Sequence, residues 1–160
     1  MKLAVTAILL SLLLASAAGA ATKRIEDGKR ETTALAENGQ VDIIRASSSR
    51  FGRDLRFTIT MRKRVHANRQ NEEPQLLLNT RGDGKSDPEF VLFGDDLFDV
   101  RGDGSKRIAP AKLGAKGRTW SYRFDPKQIR NLDRYGWAAI TNKGNAEDVA
   151  PNDRYVKAQY

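Results

Sequence analysis

The order of apolar and polar residues predicts an all-β fold for residues 41–160. The clearest segment is LRFTITM, in which apolar side chains alternate with polar ones at Leu55, Phe57, Ile59 and Met61. Alternation with a period of two indicates a strand with one face in the core and the other in solvent. Other apolar runs recur at the ~8–12 residue spacing that is typical of a β-sandwich or barrel.

Six other apolar runs predict the remaining strands. VDIIRAS, residues 41–47, is the expected hairpin partner of LRFTITM, and SSSRFGRD between them is the expected turn. The other runs are PQLLLNT, EFVLFG, DLFDVRG, TWSYRF and YGWAAIT. The basic segment SKRIAPAKLGAKGR, residues 105–118, lacks such alternation and is predicted to be a loop. Together these segments predict an antiparallel β-sandwich with a jelly-roll-like layout.

One connection between the predicted strands has the features of a short helix. In DPKQIRNLDR, Asp125 can accept hydrogen bonds from backbone N–H groups as an N-cap. Pro126 suits the first helical position, where its missing N–H costs nothing. Ile129 and Leu132, three residues apart, would then face the sheet. We therefore expect one short helical crossover.

The N-terminal residues 1–20 have the pattern of a secretory signal peptide. Lys2 precedes a long apolar run, and the segment ends in the small residues Ala18, Gly19 and Ala20. The strongly apolar part is shorter than the ~20 residues that a membrane span needs. We expect a secreted protein without a membrane anchor, with a flexible leader at residues 21–40 and one domain at residues 41–160.

Composition limits the kinds of chemistry available. The chain has no cysteine, which favours a bacterial export route over a disulfide-stabilised eukaryotic one. His66 is the only histidine, so a zinc site and histidine-assisted nucleophilic catalysis have little support. Without its first twenty residues, the chain has 27 Lys and Arg against 20 Asp and Glu, a net charge of +7. This charge favours anionic partners, and no motif for specific nucleic-acid recognition is present.

The segment NTRGDGKSDPEF, residues 79–90, contains oxygen-bearing side chains at a spacing close to that of a calcium loop. It departs from the EF-hand pattern, because Arg81 stands at the third position and Phe90 replaces the final glutamate. Two interpretations remain open: a turn-rich connection between strands, and a looser calcium site. The candidate ligands of that site are Asn79, Asp83, Asp87 and Glu89.

Two groups of side chains are candidates for binding a larger ligand. Trp120, Tyr135 and Trp137 belong to the most aromatic region and could either stack on a sugar or fill the core. The second group is basic, and could either dock an anionic polymer or serve as a solvated face that discourages aggregation. Its members are Arg56, Arg62 and Arg64.

The order of these segments resembles that of small secreted actinobacterial β-sandwich proteins. Their layout is similar to the DOMON-like and family 9 carbohydrate-binding folds. The match rests on Asp83, on the Pro88-Glu89-Phe90 strand, and on the closing residues Asp148, Ala150 and Pro151, whereas Asn79 stands where an aspartate is usual. The resemblance covers residues 41–160 and implies the sandwich fold more than an activity.

Three functions are compatible with these features. The first is a non-catalytic, monomeric module that binds an extracellular glycan or anionic cell-wall polymer, with calcium as a structural ion. The second is a glycoside hydrolase that uses a carboxylate pair. Its candidate residues are Asp83, Asp87, Asp95 and Asp96. The third is a structural domain that binds other proteins.

Overall fold

The protein is an all-β sandwich of two antiparallel sheets. The structure is a computed structural model that describes residues 23–26, 42–65, 73–81, 87–130, 132, 134–143, 146–151 and 155–159. The predicted signal peptide, His66 and Asp83 lie outside these residues.

Twelve strands are present in the described part of the chain. They are β1 Lys23–Glu26, β2 Ile43–Phe51, β3 Asp54–Met61, β4 Gln75–Asn79, β5 Phe90–Phe93, β6 Asp96–Asp99, β7 Lys106–Pro110, β8 Lys112–Lys116, β9 Thr119–Phe124, β10 Arg134–Lys143, β11 Ala146–Ala150 and β12 Val156–Gln159. The five-stranded sheet has the order β1-β2-β3-β9-β8. The seven-stranded sheet has the order β11-β10-β4-β5-β6-β7, and β12 also pairs with β10.

The core lies between the sheets and is formed by the alternate, inward-facing residues of each strand. In β3 every second residue from Leu55 to Met61 is buried, as the alternation predicts. The Phe57 ring from the five-stranded sheet meets Trp137 of the seven-stranded sheet edge-on, with ring centroids 5.5 Å apart. It meets Tyr135 in the same way at 6.2 Å. These contacts join the two layers through aromatic packing.

The predicted helical crossover is confirmed. Residues Pro126–Gln128 form a single 3₁₀ turn between β9 and β10. The Asp125 carboxylate accepts a hydrogen bond from the Lys127 backbone N–H at 3.0 Å, which is the expected N-cap contact. Ile129 and Leu132 are buried in the core. The turn therefore covers one end of the sandwich with apolar side chains.

The predicted basic loop at residues 105–118 is wrong, because it contains strands β7 and β8. These strands lie at the edges of the two sheets. Only Ala109 of β7 is buried, so the segment has no alternation of large apolar residues. Lysine and arginine on edge strands discourage pairing with other chains, which explains the basic composition.

Two other boundaries differ from the predictions. The hairpin turn between β2 and β3 is only Gly52-Arg53, since β2 continues to Phe51. Gly52 has φ of +61°, a conformation that glycine adopts without strain. In addition, Lys23–Glu26 of the predicted flexible leader forms β1 and pairs with β2.

Candidate functional site

The three aromatic side chains proposed as a sugar platform lie in the core. Their exposed fractions are 1% for Trp120, 3% for Tyr135 and 0% for Trp137. All three occupy inward-facing positions of β9 and β10, so no face of these rings is available to a ligand. The alternative that they fill the core is correct, and the ligand assignment is wrong for these residues.

The predicted calcium ligands Asn79 and Glu89 are buried and engaged by the chain itself. The Asn79 side-chain oxygen accepts a hydrogen bond from the Arg81 backbone N–H at 3.0 Å. Oε2 of Glu89 accepts one from the Thr80 N–H at 2.6 Å. Oε1 of Glu89 lies 2.5 Å from Nε of Arg81 but accepts no hydrogen bond from the described residues. The contact with Arg81 is therefore an ion pair without aligned hydrogen-bond geometry.

This arrangement places a positive charge where the calcium ion was predicted. Asp87 is exposed, and no described group of three or more acidic, histidine or cysteine side chains is arranged to hold a metal. A calcium ion at Glu89 would have to displace the Arg81 guanidinium. The site stays a prediction, since Asp83 is outside the described residues.

The beginnings of the two RGDG segments lie beside each other. Arg81 pairs with Glu89, whereas the Arg101 guanidinium lies 5.0 Å from the centroid of the Phe90 ring. The Asp99 carboxylate accepts a hydrogen bond from the Arg101 backbone N–H at 3.0 Å. The bonds from Arg101 hold the pKa of Asp99 down at about 2. Arg81 and Arg101 therefore make structural contacts in the seven-stranded sheet, whereas Asp103 is exposed.

The adjacent carboxylates proposed for hydrolysis point to different partners. Asp95 Oδ1 accepts a hydrogen bond from the Leu113 N–H at 3.0 Å and so fixes the start of β8. Asp96 pairs with Arg107 at 2.5 Å. Asp95 thus caps the start of β8, whereas Asp96 forms an ion pair between β6 and β7. The separate partners give no support to Asp95 and Asp96 as a catalytic pair.

Among the described residues, Glu73, near the start of β4, is an acidic neighbour of Asp95. Burial raises the pKa of Glu73, and the charge of Asp95 raises it further. Both carboxylates also raise the pKa of the buried Tyr122 hydroxyl, after the larger effect of burial. The Tyr122 hydroxyl donates a hydrogen bond to the backbone carbonyl of Pro74. When Glu73 is ionised, its negative charge is repelled by that of Asp95, which destabilises the folded state.

Replacing Glu73 with glutamine is expected to stabilise the protein at pH 7 and to change little at pH 4. The pKa of Glu73 is higher in the folded protein than its value of 4.5 in the unfolded chain, so the protonated carboxyl stabilises the folded state below pH 4.5. This stabilisation is lost as the pH rises through the pKa of the folded state. The gain at pH 7 should stay below about 1 kcal/mol, because solvent screens a partly exposed group. Urea unfolding at both pH values measures it, with Asp103→Asn as control. A less stable Glu73→Gln variant at pH 7 would contradict this assignment.

The outward face of the five-stranded sheet carries small hydroxyl side chains at its centre. Ser47 of β2 is opposite Thr58 of β3, which is opposite Ser121 of β9 and then Gly114 of β8. The Ser47 and Thr58 hydroxyls are hydrogen-bonded at 2.6 Å. We call these four residues, three with hydroxyl groups and one glycine, the hydroxyl strip. Their small size leaves a shallow, polar band across four strands.

A row of cations runs beside the hydroxyl strip. Arg56 of β3 is directly opposite Arg123 of β9, which is directly opposite Lys112 of β8. We call these three residues the basic row. Like charges directly opposite each other destabilise a sheet. Asp54 offsets part of this repulsion, with Oδ2 lying 3.6 Å from Nε of Arg123. Cations that repel each other on one face indicate that it can accept a negatively charged partner.

The structure separates Arg56 from the other two predicted arginines. Arg62 follows β3 and binds the buried Asp42 carboxylate through two guanidinium nitrogens. This hydrogen bonding raises the pKa of Arg62. Arg64 is exposed beyond the end of the strand. The basic row therefore keeps Arg56 and adds Arg123 and Lys112, which the sequence analysis did not identify.

The alternation in TWSYRF was sufficient to place one member of the basic row, Arg123, on the outward face. It puts Arg123 on the opposite face from Trp120, Tyr122 and Phe124, and hence toward solvent. The pairing of β9 with β3, about 65 residues earlier in the chain, was not readable from local pattern.

Comparison with models of known protein families and with curated proteins finds no match to this chain. The resemblance to DOMON-like and family 9 carbohydrate-binding folds therefore stays a prediction. Within the described ranges, no helix is long and apolar enough to cross a lipid bilayer.

Proposed function

We propose that this protein is an exported, non-catalytic module that binds an anionic extracellular polysaccharide or cell-wall polymer. The binding surface is the basic row together with the hydroxyl strip. The observation that carries the proposal is the basic row itself, in which three cations lie directly opposite one another on the outward face. Export rests on the signal-peptide pattern of residues 1–20.

The shape and chemistry of this face suit an extended polymer. Neighbouring strands are ~4.8 Å apart, so the cations of the basic row follow each other at about that interval. The hydroxyl strip beside them offers donors and acceptors without tall side chains. Lys116 is opposite Thr119 on this face and extends the positive charge beyond the row, whereas Arg24, opposite Ser47, is paired with Glu26. A chain with regularly repeated negative charges could contact several of these groups at once.

Calcium is not required for this proposal. Of the predicted calcium ligands, Asn79 ends β4 and Glu89 immediately precedes β5, both in the seven-stranded sheet. The basic row belongs to the five-stranded sheet. Polymer binding by the basic row should therefore persist in the presence of a chelator.

The proposal predicts that removing two members of the basic row weakens polymer binding by about tenfold or more at low salt. The double variant Arg56→Gln and Lys112→Gln leaves Arg123 beside Asp54, and a tenfold loss corresponds to ~1.4 kcal/mol. Binding of the purified protein to polygalacturonate and to inorganic polyphosphate measures the effect. The matched control is Arg134→Gln and Lys157→Gln, which removes the same charge from exposed positions of the seven-stranded sheet.

The outcomes separate this function from its alternatives. Binding that weakens with salt and with the basic-row variant, but not with the control, supports the proposal. Equal losses in both double variants would show a dependence on net charge alone and would contradict it. Release of reducing ends from polygalacturonate would favour the hydrolase. Failure to bind either polymer at low salt would reject polyanion binding.

A specific feature also favours a protein partner as a second candidate function. The outward face of the seven-stranded sheet has a row of half-buried apolar residues on adjacent strands, in the order Leu77, Val91 and Phe98. An apolar face of this kind can bury against another protein. Binding through this face should resist high salt, unlike polymer binding through the basic row.

A further inference from the structure

We propose that Phe51, Arg56 and Arg123 form a subsite for a carboxylated sugar unit of the polymer. We call these three residues the ring subsite. The inference rests on the proposed function, since it assigns the ligand chemistry of the same face. It commits to a uronic acid, in which a pyranose ring and a carboxylate belong to one unit.

The ring subsite combines an exposed aromatic ring with two guanidinium groups. Phe51 is the last residue of β2, and 48% of its surface is exposed. The guanidinium carbons of Arg56 and Arg123 lie 5.5 Å and 5.0 Å from the centroid of the Phe51 ring. Cations at this distance are attracted to the ring and hold it toward the basic row. Phe51 therefore extends the basic row with an apolar surface.

Arg56 can offer its donors to a ligand. Among the described residues, no carboxylate forms an ion pair with Arg56, whereas Arg45, Arg62 and Arg107 are each paired with one. The contact of Arg56 with the Phe51 ring is a cation–π contact, which does not require its N–H groups to be paired with an acceptor. Its five N–H donors match the two oxygens of a carboxylate in a bidentate pair.

The exposed ring distinguishes a uronate from other anionic units. The C–H groups on one face of a pyranose carry slight positive charge and can pack on the negative face of an aromatic ring. A phosphodiester chain needs cations but gains little from an apolar ring. A subsite with both features is complementary to a sugar that also carries a carboxylate. Phosphate polymers would use the basic row without Phe51.

The test compares polygalacturonate with inorganic polyphosphate as ligands of the purified protein. Phe51→Leu keeps an apolar side chain but removes the aromatic ring. We expect it to weaken polygalacturonate binding by about fivefold and to leave polyphosphate binding unchanged. The matched control is Phe93→Leu, which removes the other exposed phenylalanine ring, on the seven-stranded sheet. This control should bind both polymers like the parent protein. Circular dichroism verifies that each variant is folded.

The results distinguish failure of the ring subsite from failure of the proposed function. Polygalacturonate binding that Phe51→Leu leaves unchanged would overturn the subsite, as would binding of polyphosphate alone. If polyphosphate binding still depended on Arg56 and Lys112, the proposed function would stand. Equal losses for both polymers in Phe51→Leu would also overturn the uronate assignment, because the ring would then serve only to position the arginines.

Discussion

Replacing Trp137 with alanine is expected to lower the free energy of unfolding by about 3–5 kcal/mol. Trp137 is fully buried on β10 and packs edge-on against Phe57 of the opposite sheet. Its removal leaves a large cavity between the two layers, which a well-packed sandwich closes only in part. A domain of this size has a total stability of about 5–15 kcal/mol. The substitution should therefore remove a large share of it.

Urea unfolding followed by circular dichroism measures this loss. Phe93→Ala is the matched control, since it truncates an exposed aromatic residue and should cost less than about 1 kcal/mol. If Trp137→Ala does not fold, Trp137→Phe gives a milder test. It removes volume, but it also removes a buried indole N–H that has no hydrogen-bond partner among the described residues. Near-parental stability of Trp137→Ala would contradict the core assignment and reopen a ligand role.

Replacing Asp148 with alanine is expected to destabilise the protein by about 2–4 kcal/mol. Asp148 of β11 is 96% buried, with 4% of its surface exposed. Its Oδ2 accepts a hydrogen bond at 2.6 Å from the backbone N–H of Ile43, the first residue of β2. The bond joins the edge strand β11 of the seven-stranded sheet to β2 of the five-stranded sheet. Without the carboxylate, the buried Ile43 N–H loses this acceptor, and Arg62 loses a nearby negative charge.

The same unfolding assay tests this prediction with two comparisons. Asp148→Asn keeps a side-chain oxygen that can accept from Ile43, so it should lose clearly less stability than Asp148→Ala. Asp103→Ala removes an exposed carboxylate from the connection between β6 and β7 and should have little effect. Equal stability of Asp148→Ala and Asp103→Ala would show that the bond between the sheets contributes nothing measurable.

The roles of Asp148 and Trp137 in the structure differ from those that the sequence suggested. Asp148 was matched to the closing segment of secreted sandwich proteins, and the structure gives it a stabilising contact between sheets. Trp137 was proposed as a ligand platform and instead fills the core. In both cases the residue type was informative, while its role depended on which side of the sheet it faces.

Sequence pattern alone was sufficient where a structure depends on neighbouring residues. The alternation around Phe57 identified β3 and its buried face, because side chains alternate along any strand. Asp125 and Pro126 identified the 3₁₀ turn, because an N-cap satisfies backbone groups within a few residues. These local rules also predicted an all-β sandwich with one helical crossover.

Sequence pattern failed where the structure depends on position within the sheets. Strands β7 and β8 were predicted as a loop, since an edge strand buries few side chains and needs no apolar alternation. Trp120 could not be assigned to core or ligand from its own strand. Alternation shows that the aromatic residues of one strand lie on the same face of the sheet. Whether that face is buried depends on a second sheet packing against it.

The sequence by itself determined the strands with strong alternation, the helical crossover, the absence of cysteine and the excess of positive charge. Only the tertiary structure decided that Arg56, Arg123 and Lys112 form one row and that Phe51 lies beside it. The physical reason is that strand pairing joins segments far apart in the chain. Its register is set by burial of the whole inner face, which no local segment specifies.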